Sequence, residues 1–323
     1  TNNGSGIFTE VTTTPFIGTL TGAVEFADFD NDGDMDYIAG NLGLNSLNRA
    51  SDSNPITVYA KDFNNDGHYD AIPTVFYKDL DGVRKEFPFN TRDDLAKQFI
   101  QTRQRFDSYA KYAKATINEV LKPEELKDAI ILKANWMKTS YLENQGNGKF
   151  KIKELPIQTQ FAPVFGMVVQ DFDQDGNLDV LMTGNDYATE LTVGRLDASQ
   201  GNILKGDGKG GFTVLPINQS GYRVTGDAKA LVELQSAKGS LLTVTSQNRD
   251  KLKFFESTKP YKMLKLAPNE NSALLTLKNG KTRKVEIPYG SSFLSQSAHK
   301  LMVGSDVIKV QAMNEKGQKR MLN

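Results

Sequence analysis

Carboxylates at alternate positions are the chemistry this sequence carries most plainly. Asp171-Phe172-Asp173-Gln174-Asp175-Gly176-Asn177-Leu178-Asp179 offers side-chain oxygens at its first, third, fifth and ninth places, and Gly176 permits the sharp turn that lets them converge. Hard oxygen donors in that number suit Ca²⁺, which takes six to eight of them. The same loop stands at Asp28-Phe29-Asp30-Asn31-Asp32-Gly33-Asp34-Met35-Asp36 and at Asp62-Phe63-Asn64-Asn65-Asp66-Gly67-His68-Tyr69-Asp70. An ordinary Asp-Gly turn is solvated. It has no reason to hold four or five acids at alternate places, where unneutralised they repel.

The elements around the loops decide what kind of site this is. An EF-hand needs a Glu at loop position twelve and a helix on each side. Position twelve here is Ala39, Pro73 and Met182, while position nine is Asp in all three loops. The flanks read as strands: Gly22-Ala23-Val24-Glu25-Phe26 and Val164-Phe165-Gly166-Met167-Val168-Val169 before, Tyr37-Ile38-Ala39 and Val180-Leu181-Met182 after. The expectation is a β–loop–β hairpin with a calcium ion held in each loop, three in all.

Composition narrows the function classes. The chain has 323 residues, 24% charged and 38% hydrophobic, with no net charge. That is a globular composition, and no global field draws it to nucleic acid or to an anionic membrane. No apolar run approaches the roughly 18 residues of a membrane span. No Cys is present, which excludes disulfides, thiolate nucleophiles and Cys-based zinc sites. The first residue is Thr1, not Met, so we expect a leader or a longer upstream region to have been removed.

A second element repeats. Asn2-Asn3-Gly4-Ser5-Gly6-Ile7-Phe8, Asn144-Gln145-Gly146-Asn147-Gly148-Lys149-Phe150 and Gly206-Asp207-Gly208-Lys209-Gly210-Gly211-Phe212 share alternate glycines and a closing Phe. Glycines so placed fit tight hairpins with positive φ. Phe8 precedes Asp28 by 20 residues and Phe150 precedes Asp171 by 21, so turn and loop recur in register. After Phe212 the loop has decayed to Gly226-Asp227-Ala228-Lys229-Ala230, with Leu241 to Thr245 and Lys253 to Phe255 continuing that repeat as strands. Repeated sheets are commonly arranged as radial blades. The fold expected is mainly β: about four propeller blades over residues 1–258, the end of a larger propeller.

An insertion interrupts the repeats at about 91–135. Thr91-Arg92-Asp93-Asp94 reads as an N-cap with an acidic third position. Leu95, Phe99, Thr102, Phe106, Tyr109, Ala113, Ile117 and Val120 follow at three- and four-residue steps, which predicts one amphipathic helix. Pro123 opens a second, from Glu124 to about Ala134. The expectation is a helical hairpin, with Arg92, Arg103, Arg105, Lys111 and Lys114 as its solvated face. From about 259 to 323 the pattern changes to a small all-β domain. There Ala273 to Leu277 and Arg283 to Ile287 form a hairpin on Asn279-Gly280, a pair favouring a type I′ turn.

Loops and glycine turns together resemble FG-GAP (VCBS) repeats, the calcium-binding blades of integrin α-chain propellers. The tail Tyr289-Gly290-Ser291-Ser292-Phe293-Leu294-Ser295-Gln296-Ser297-Ala298-His299 is similar to the ASPIC/UnbV domain that follows such repeats. That family's Phe-Gly-Leu-Gly stretch has become Met302-Val303-Gly304-Ser305 here, and its later Trp-Pro is absent. Gly40 to Asn45, Thr91 to Leu95, Gly184 to Tyr187 and Asp197 to Gly201 look like large exported bacterial proteins of the same family. The resemblance implies a propeller, calcium, and a secreted or cell-surface location, including outer-membrane anchoring through an upstream segment. Carried over by position, the metal ligands are Asp28, Asp30, Asp32 and Asp36; Asp62, Asn64, Asp66 and Asp70; and Asp171, Asp173, Asp175 and Asp179. Position seven (Asp34, His68, Asn177) offers its backbone carbonyl. Asn64 replaces a carboxylate, so the second site should bind more weakly.

No residues assemble into a catalytic centre in the sequence. A positioned base is most often His, and the two histidines are His68 in a metal loop and His299 in the Ser-rich tail. Ser295, Ser297 and His299 share a strand face without specifying an attack geometry. Gly280-Lys281-Thr282 lacks the upstream glycine loop of a phosphate cradle. The long polar stretch from Gly184 to Asn202 is the first place to look for a ligand site, with Asn185, Asp186, Tyr187, Glu190, Arg195 and Asp197. The reading is therefore a non-catalytic, calcium-stabilised binding or adhesion module for a protein or glycan ligand on the cell exterior. The alternatives are a polysaccharide- or peptide-acting enzyme, with Asp186 and Glu190 as its carboxylate pair, and a structural segment of a longer protein.

Overall fold

The computed structural model describes residues 22–191 and 193–322; the first glycine turn, Asn2 to Phe8, lies outside them. In chain order come β1 (Val24–Ala27), β2 (Asp36–Ala39), β3 (Ile56–Lys61), β4 (Asp70–Lys78) and β5 (Arg84–Pro88). Four short helices follow: α1 (Arg92–Gln98), α2 (Gln101–Arg105), α3 (Tyr109–Tyr112) and α4 (Ile117–Val120). Next are β6 (Ile130–Ala134), β7 (Ser140–Asn144), β8 (Phe150–Glu154), β9 (Val164–Gln170), β10 (Asp179–Gly184), β11 (Asn202–Gly206) and β12 (Phe212–Leu215). After a short helix α5 (Ile217–Ser220) come β13 (Ala228–Gln235), β14 (Leu241–Gln247), β15 (Lys253–Glu256) and β16 (Lys262–Lys265). The chain closes with β17 (Glu270–Leu277), β18 (Thr282–Glu286), β19 (Lys300–Val303), β20 (Val307–Asn314) and β21 (Lys319–Leu322). No helix among the described residues is long and apolar enough to cross a membrane.

The strands form six separate antiparallel sheets, ordered β1-β2-β7-β8, β12-β11-β10-β9, β13-β14-β15, β16-β19, β18-β17-β20-β21 and β5-β4-β3-β6. All six are open, and among the described residues they close no propeller. This corrects the expected fold, and the reason lies in where the repeats fall. The chain divides into two compact units, one holding Leu47–Met137 and the other the described residues before and after it. The second acidic loop belongs to the first of these, on the sheet β5-β4-β3-β6, and the other two loops belong to the other unit. The decayed fourth repeat yields only three strands. Two sheets remain that carry both loop and glycine turn.

Those two sheets are congruent. In each, an acidic loop joins the first two strands, and a glycine turn joins the last two: Asn144 pairs with Phe150, and Gly206 with Phe212. Phe29, the second residue of its loop, is buried with Ile38, Tyr141, Met167, Val180 and Leu204 in one core. Its ring meets Tyr141 at 6.0 Å and Phe212 at 5.6 Å, both edge-on. Burying such a ring is worth about 1.5–3 kcal/mol, so the loop is anchored by the aromatic between its first two acids. Phe172 does the same against Val168, Leu181, Tyr222 and Leu231. The last strands bury a further core of Leu264, Ala273, Leu275, Leu301, Val310 and Ala312. Their β17–β18 turn has only Gly280 in the left-handed region (φ 83°), so it is a longer glycine-closed turn in place of the expected type I′.

In the unit Leu47–Met137 the expected helical hairpin is replaced by α1 to α4 and a strand. Most of the expected apolar positions converge, since Leu95, Phe99, Phe106, Ile117 and Val120 pack with Ile72, but Tyr109 and Ala113 are exposed and Tyr112 takes their place. One continuous helix does not carry them. The backbone leaves the helix at Phe99 and again at Phe106, and the Ser108 hydroxyl caps a new start at Lys111 N. Thr116 and Glu119 close a capping box for α4. Hydroxyl side chains that compete for backbone N–H groups make helix starts. Past Pro123, Ile130 to Leu132 pair with β3 as a strand, as β-branched residues favour. On the basic face, Arg105 pairs with Glu125 and Lys111 with Asp107.

Candidate metal centres

All three loops share one internal hydrogen-bond scaffold. The residue before each loop pairs across the hairpin with the ninth: Ala27 with Asp36, Lys61 with Asp70, Gln170 with Asp179. The fifth N–H donates to the first carboxylate, as Asp32 to Asp28 (3.1 Å), Asp66 to Asp62 (3.0 Å) and Asp175 to Asp171 (3.1 Å). The seventh N–H donates to the fifth carboxylate, from Asp34, His68 and Asn177 at 3.0, 2.9 and 2.8 Å. The second N–H, on Phe29, Phe63 and Phe172, donates to the ninth carboxylate at 3.2, 3.1 and 3.0 Å. Closing the loop needs left-handed backbone at position four, supplied by Asn31, Asn65 and Gln174, and at position six by glycine with φ between 87° and 99°. Any other residue at position six is strained there.

Two loops bring three acids to a point. Carboxylate oxygens of Asp28, Asp30 and Asp32 lie within 4.8 Å of one another, as do those of Asp171, Asp173 and Asp179. Both groups can chelate a metal ion. Burial pushes Asp171 up to about 7 and Asp179 to about 6. Desolvation, with Asp36 and Asp32 beside it, pushes Asp30 to about 6. Crowded carboxylates of this kind favour a proton or a cation. The donors are all oxygen, which suits a hard divalent ion. Asp34 Oδ1 is shielded from solvent and has no hydrogen-bond partner among the described residues. The donor set therefore fits such an ion in the first loop.

The remaining expected ligands sit differently. Asp36 is fully buried and spent on structure: Oδ2 accepts from Phe29 N and from the Tyr141 hydroxyl (2.7 Å), and Oδ1 from Asn144 N (2.8 Å). Asp179 likewise accepts from Gly206 N at 3.0 Å, so in the first and third loops the ninth carboxylate caps the glycine turn beyond it. Asp175 lies outside the third trio, held by Lys205 at 2.9 Å. In the second loop no three acids converge. Asn64 turns its amide N–H toward Asp66 (3.0 Å) and Gln98 O (2.8 Å), a donor where the other loops place a carboxylate. The His68 N–H, with Asn64, holds Asp66 below its usual range, while burial raises Asp70. His68 itself is exposed.

Sequence reasoning missed how the loops are buttressed. Gly208 (φ 66°) lies where a Cβ would sit 2.2 Å from Asn177 Oδ1 and 2.7 Å from Asn31 Nδ2, so one glycine turn touches both the first and third loops. Arg283 donates to Gly176 O, the Tyr261 hydroxyl to Asp171 O (2.8 Å), and Ser305 N–H to Gln174 Oε1 (3.1 Å). The C-terminal strands thus grip the third loop. Lys205, one residue past the middle of β11, gives no sequence signal, because its spacing from Asp173 means nothing until β11 pairs with β10.

No protein-family model matches the chain, and no curated protein matches it either. Together with the open sheets, this corrects the resemblance to FG-GAP (VCBS) repeats and to the ASPIC/UnbV domain. A nine-residue acidic loop and a glycine turn answer local needs, cation and hairpin, that any antiparallel pair of strands can have.

The tail read as similar to ASPIC/UnbV has a plain structural role. The Ser295 and Ser297 hydroxyls accept from Leu231 N (3.1 Å) and Glu233 N (3.0 Å), two alternate N–H groups of β13. Ser292 Oγ accepts from Met167 N at 2.7 Å. His299 stacks on Tyr289 with centroids 4.4 Å apart. In the stretch from Gly184 to Asn202, Asn185 is fully buried and bonds Ser199 N, Ser199 O and Gly226 O. Asp186 faces Lys229 at 3.2 Å, and Arg195 lies over the Tyr187 ring at 4.5 Å. Glu190 and Asp197 are exposed.

Proposed function

We propose that the chain is a non-catalytic binding module, braced by one Ca²⁺ in each of its three acidic loops and working outside the cell on a protein or glycan ligand. The observation that carries the metal part is the shared scaffold, in which the same three N–H groups hold the first, fifth and ninth carboxylates in every loop, with three acids converging in the first and third. Oxygen-only donors favour calcium over softer ions. Asn64 makes the second loop the weakest of the three. The exterior location rests on linkage. Extracellular sites hold calcium at about 10⁻⁴–10⁻³ M, and free ion at tenfold over Kd adds about 1.4 kcal/mol per site. The non-catalytic reading is supported by the serine hydroxyls of the tail, which are committed to β13.

The test is thermal unfolding of the full chain in calcium and in EDTA, with Asp30→Asn and Asp173→Asn, followed by glycan and protein arrays read for both binding and turnover. Calcium should raise the melting temperature, and each substitution should remove part of that rise. An unchanged melt on chelation would overturn the brace, and turnover on the arrays would overturn the non-catalytic part.

A further inference from the structure

Away from the acidic loops, two other carboxylates meet in a place where neither should be comfortable. Glu25 on β1 is 8% exposed and Glu233 lies on β13, and the Oε1 atom of each is shielded from solvent without a hydrogen-bond partner. Both line a cavity of about 170 Å³ whose walls include Met167, Leu275 and Leu301. Ser291, on the same lining, has a third oxygen that is buried and unpartnered. The Ser292 N–H stands by Glu25 and the Gln170 side chain by Glu233, but a buried carboxylate oxygen left without a donor is expensive. The two also repel each other, and burial raises both to about 8.

Among the described residues no salt bridge reaches either glutamate. Residues 1–21 contain no Lys, Arg or His, so every basic side chain of the protein is accounted for. Arg283, Lys284 and Lys300 line the cavity too, but the Arg283 charge answers Asp171 and Asp306, Lys284 pairs with Glu286, and Lys300 is exposed to solvent.

We infer that this cavity binds a small primary ammonium ion, its head on Glu25, Glu233 and Ser291 and its alkyl stem against Met167, Leu275 and Leu301. A primary ammonium has three N–H donors, and three orphan oxygens line the space. The volume suits a molecule of about six heavy atoms, since a dry cavity of about 150 Å³ holds benzene. A bare metal ion leaves the apolar walls without a partner. One ammonium neutralises one carboxylate while the other keeps its proton.

The test is calorimetric titration of the full chain, in EDTA, with n-butylammonium chloride and with n-butanol as the uncharged control. Methyl resonances of Met167 and Met302, both on the lining, give a second readout. The ammonium should bind and move those methyls, butanol should not, and Glu25→Gln or Glu233→Gln should weaken binding by about tenfold or more. Both substitutions keep shape and remove buried charge, so the variants fold. Equal affinity in the double variant, or absent heat and unmoved methyls at millimolar ammonium, would overturn the site. A calcium signal lost with the glutamates in place of an ammonium signal would make it a metal site and also sink the inference.

Discussion

Lys205 reaches from β11 into the third acidic loop and sets its ammonium between Asp173 and Asp175, 2.9 Å from Asp175 Oδ2. The carboxylates in turn hold the Lys205 charge on more firmly than usual. No salt bridge among the described residues reaches Asp28, Asp30 or Asp32 in the first loop. The two loops, alike in backbone, thus differ in how much negative charge they leave for a metal.

Removing that internal cation should help a metal bind. Lys205→Met is expected to tighten calcium at the third loop by up to about fivefold, the factor that corresponds to about 1 kcal/mol for a partly exposed ion pair. Calcium calorimetry on the variant and the parent checks it. Weaker binding in the variant would mean that Lys205 organises the loop and does not compete with the metal.

Metal at the third loop should also steady the C-terminal strands, because Gly176 O, Asp171 O and Gln174 are the points that Arg283, Tyr261 and Ser305 hold. In hydrogen exchange, EDTA should speed the Ser305 amide more than amides in β20, which pair with β17. Uniform acceleration across the chain would point to global loosening instead.

The Glu25 and Glu233 pair sets a pH dependence. Both carboxyls are raised in the folded state, from 4.5 to about 8, chiefly by burial. The folded chain then binds more protons than the unfolded one between those values, so stability falls as pH rises through that window. Melting temperature in EDTA should drop from pH 5 to pH 8, and Glu25→Gln with Glu233→Gln should flatten the slope. A parent protein that grows more stable over that range would contradict the assignment.

Tyr141→Phe removes one of three donors from the buried Asp36 while leaving the ring in its core. A hydrogen bond to a charged group is worth about 1.5–3 kcal/mol, and urea unfolding should show a loss of that order. Calcium response should persist, since Asp36 stands outside the trio of its loop.

What was legible in the sequence is what is local. Nine residues contain every donor and every turn of an acidic loop, so residue type and spacing were enough to find the β–loop–β hairpin. The apolar set Leu95 to Val120 was also legible, but its division into four helices was not. The starts of α3 and α4 each depend on a hydroxyl cap, Ser108 and Thr116, winning over a continuing turn, a difference of about 1 kcal/mol; α2 starts at Ile100 with no side-chain cap. Sheet arrangement was beyond reach because the motif does not say which unit a loop belongs to, and Asp62 to Asp70 repeats it in a different unit from the other two loops. Glu25 falls within the strand flank Gly22 to Phe26, and Glu233 belongs to no motif. Only the packing of β1 and β13 around a common cavity makes them a pair.

Residues 47–137 enter the chain between β2 and its partner β7, so Asp36 and Tyr141 stand 105 positions apart. During synthesis at about 5–20 residues per second, β2 waits roughly 5–20 s with its open edge unpaired. An unpaired edge is a template for other chains. The interval from translation of Asp36 to translation of Tyr141 is when a nascent copy is most exposed to neighbours on the same polysome, and slowing the ribosome there should cost yield before it costs stability.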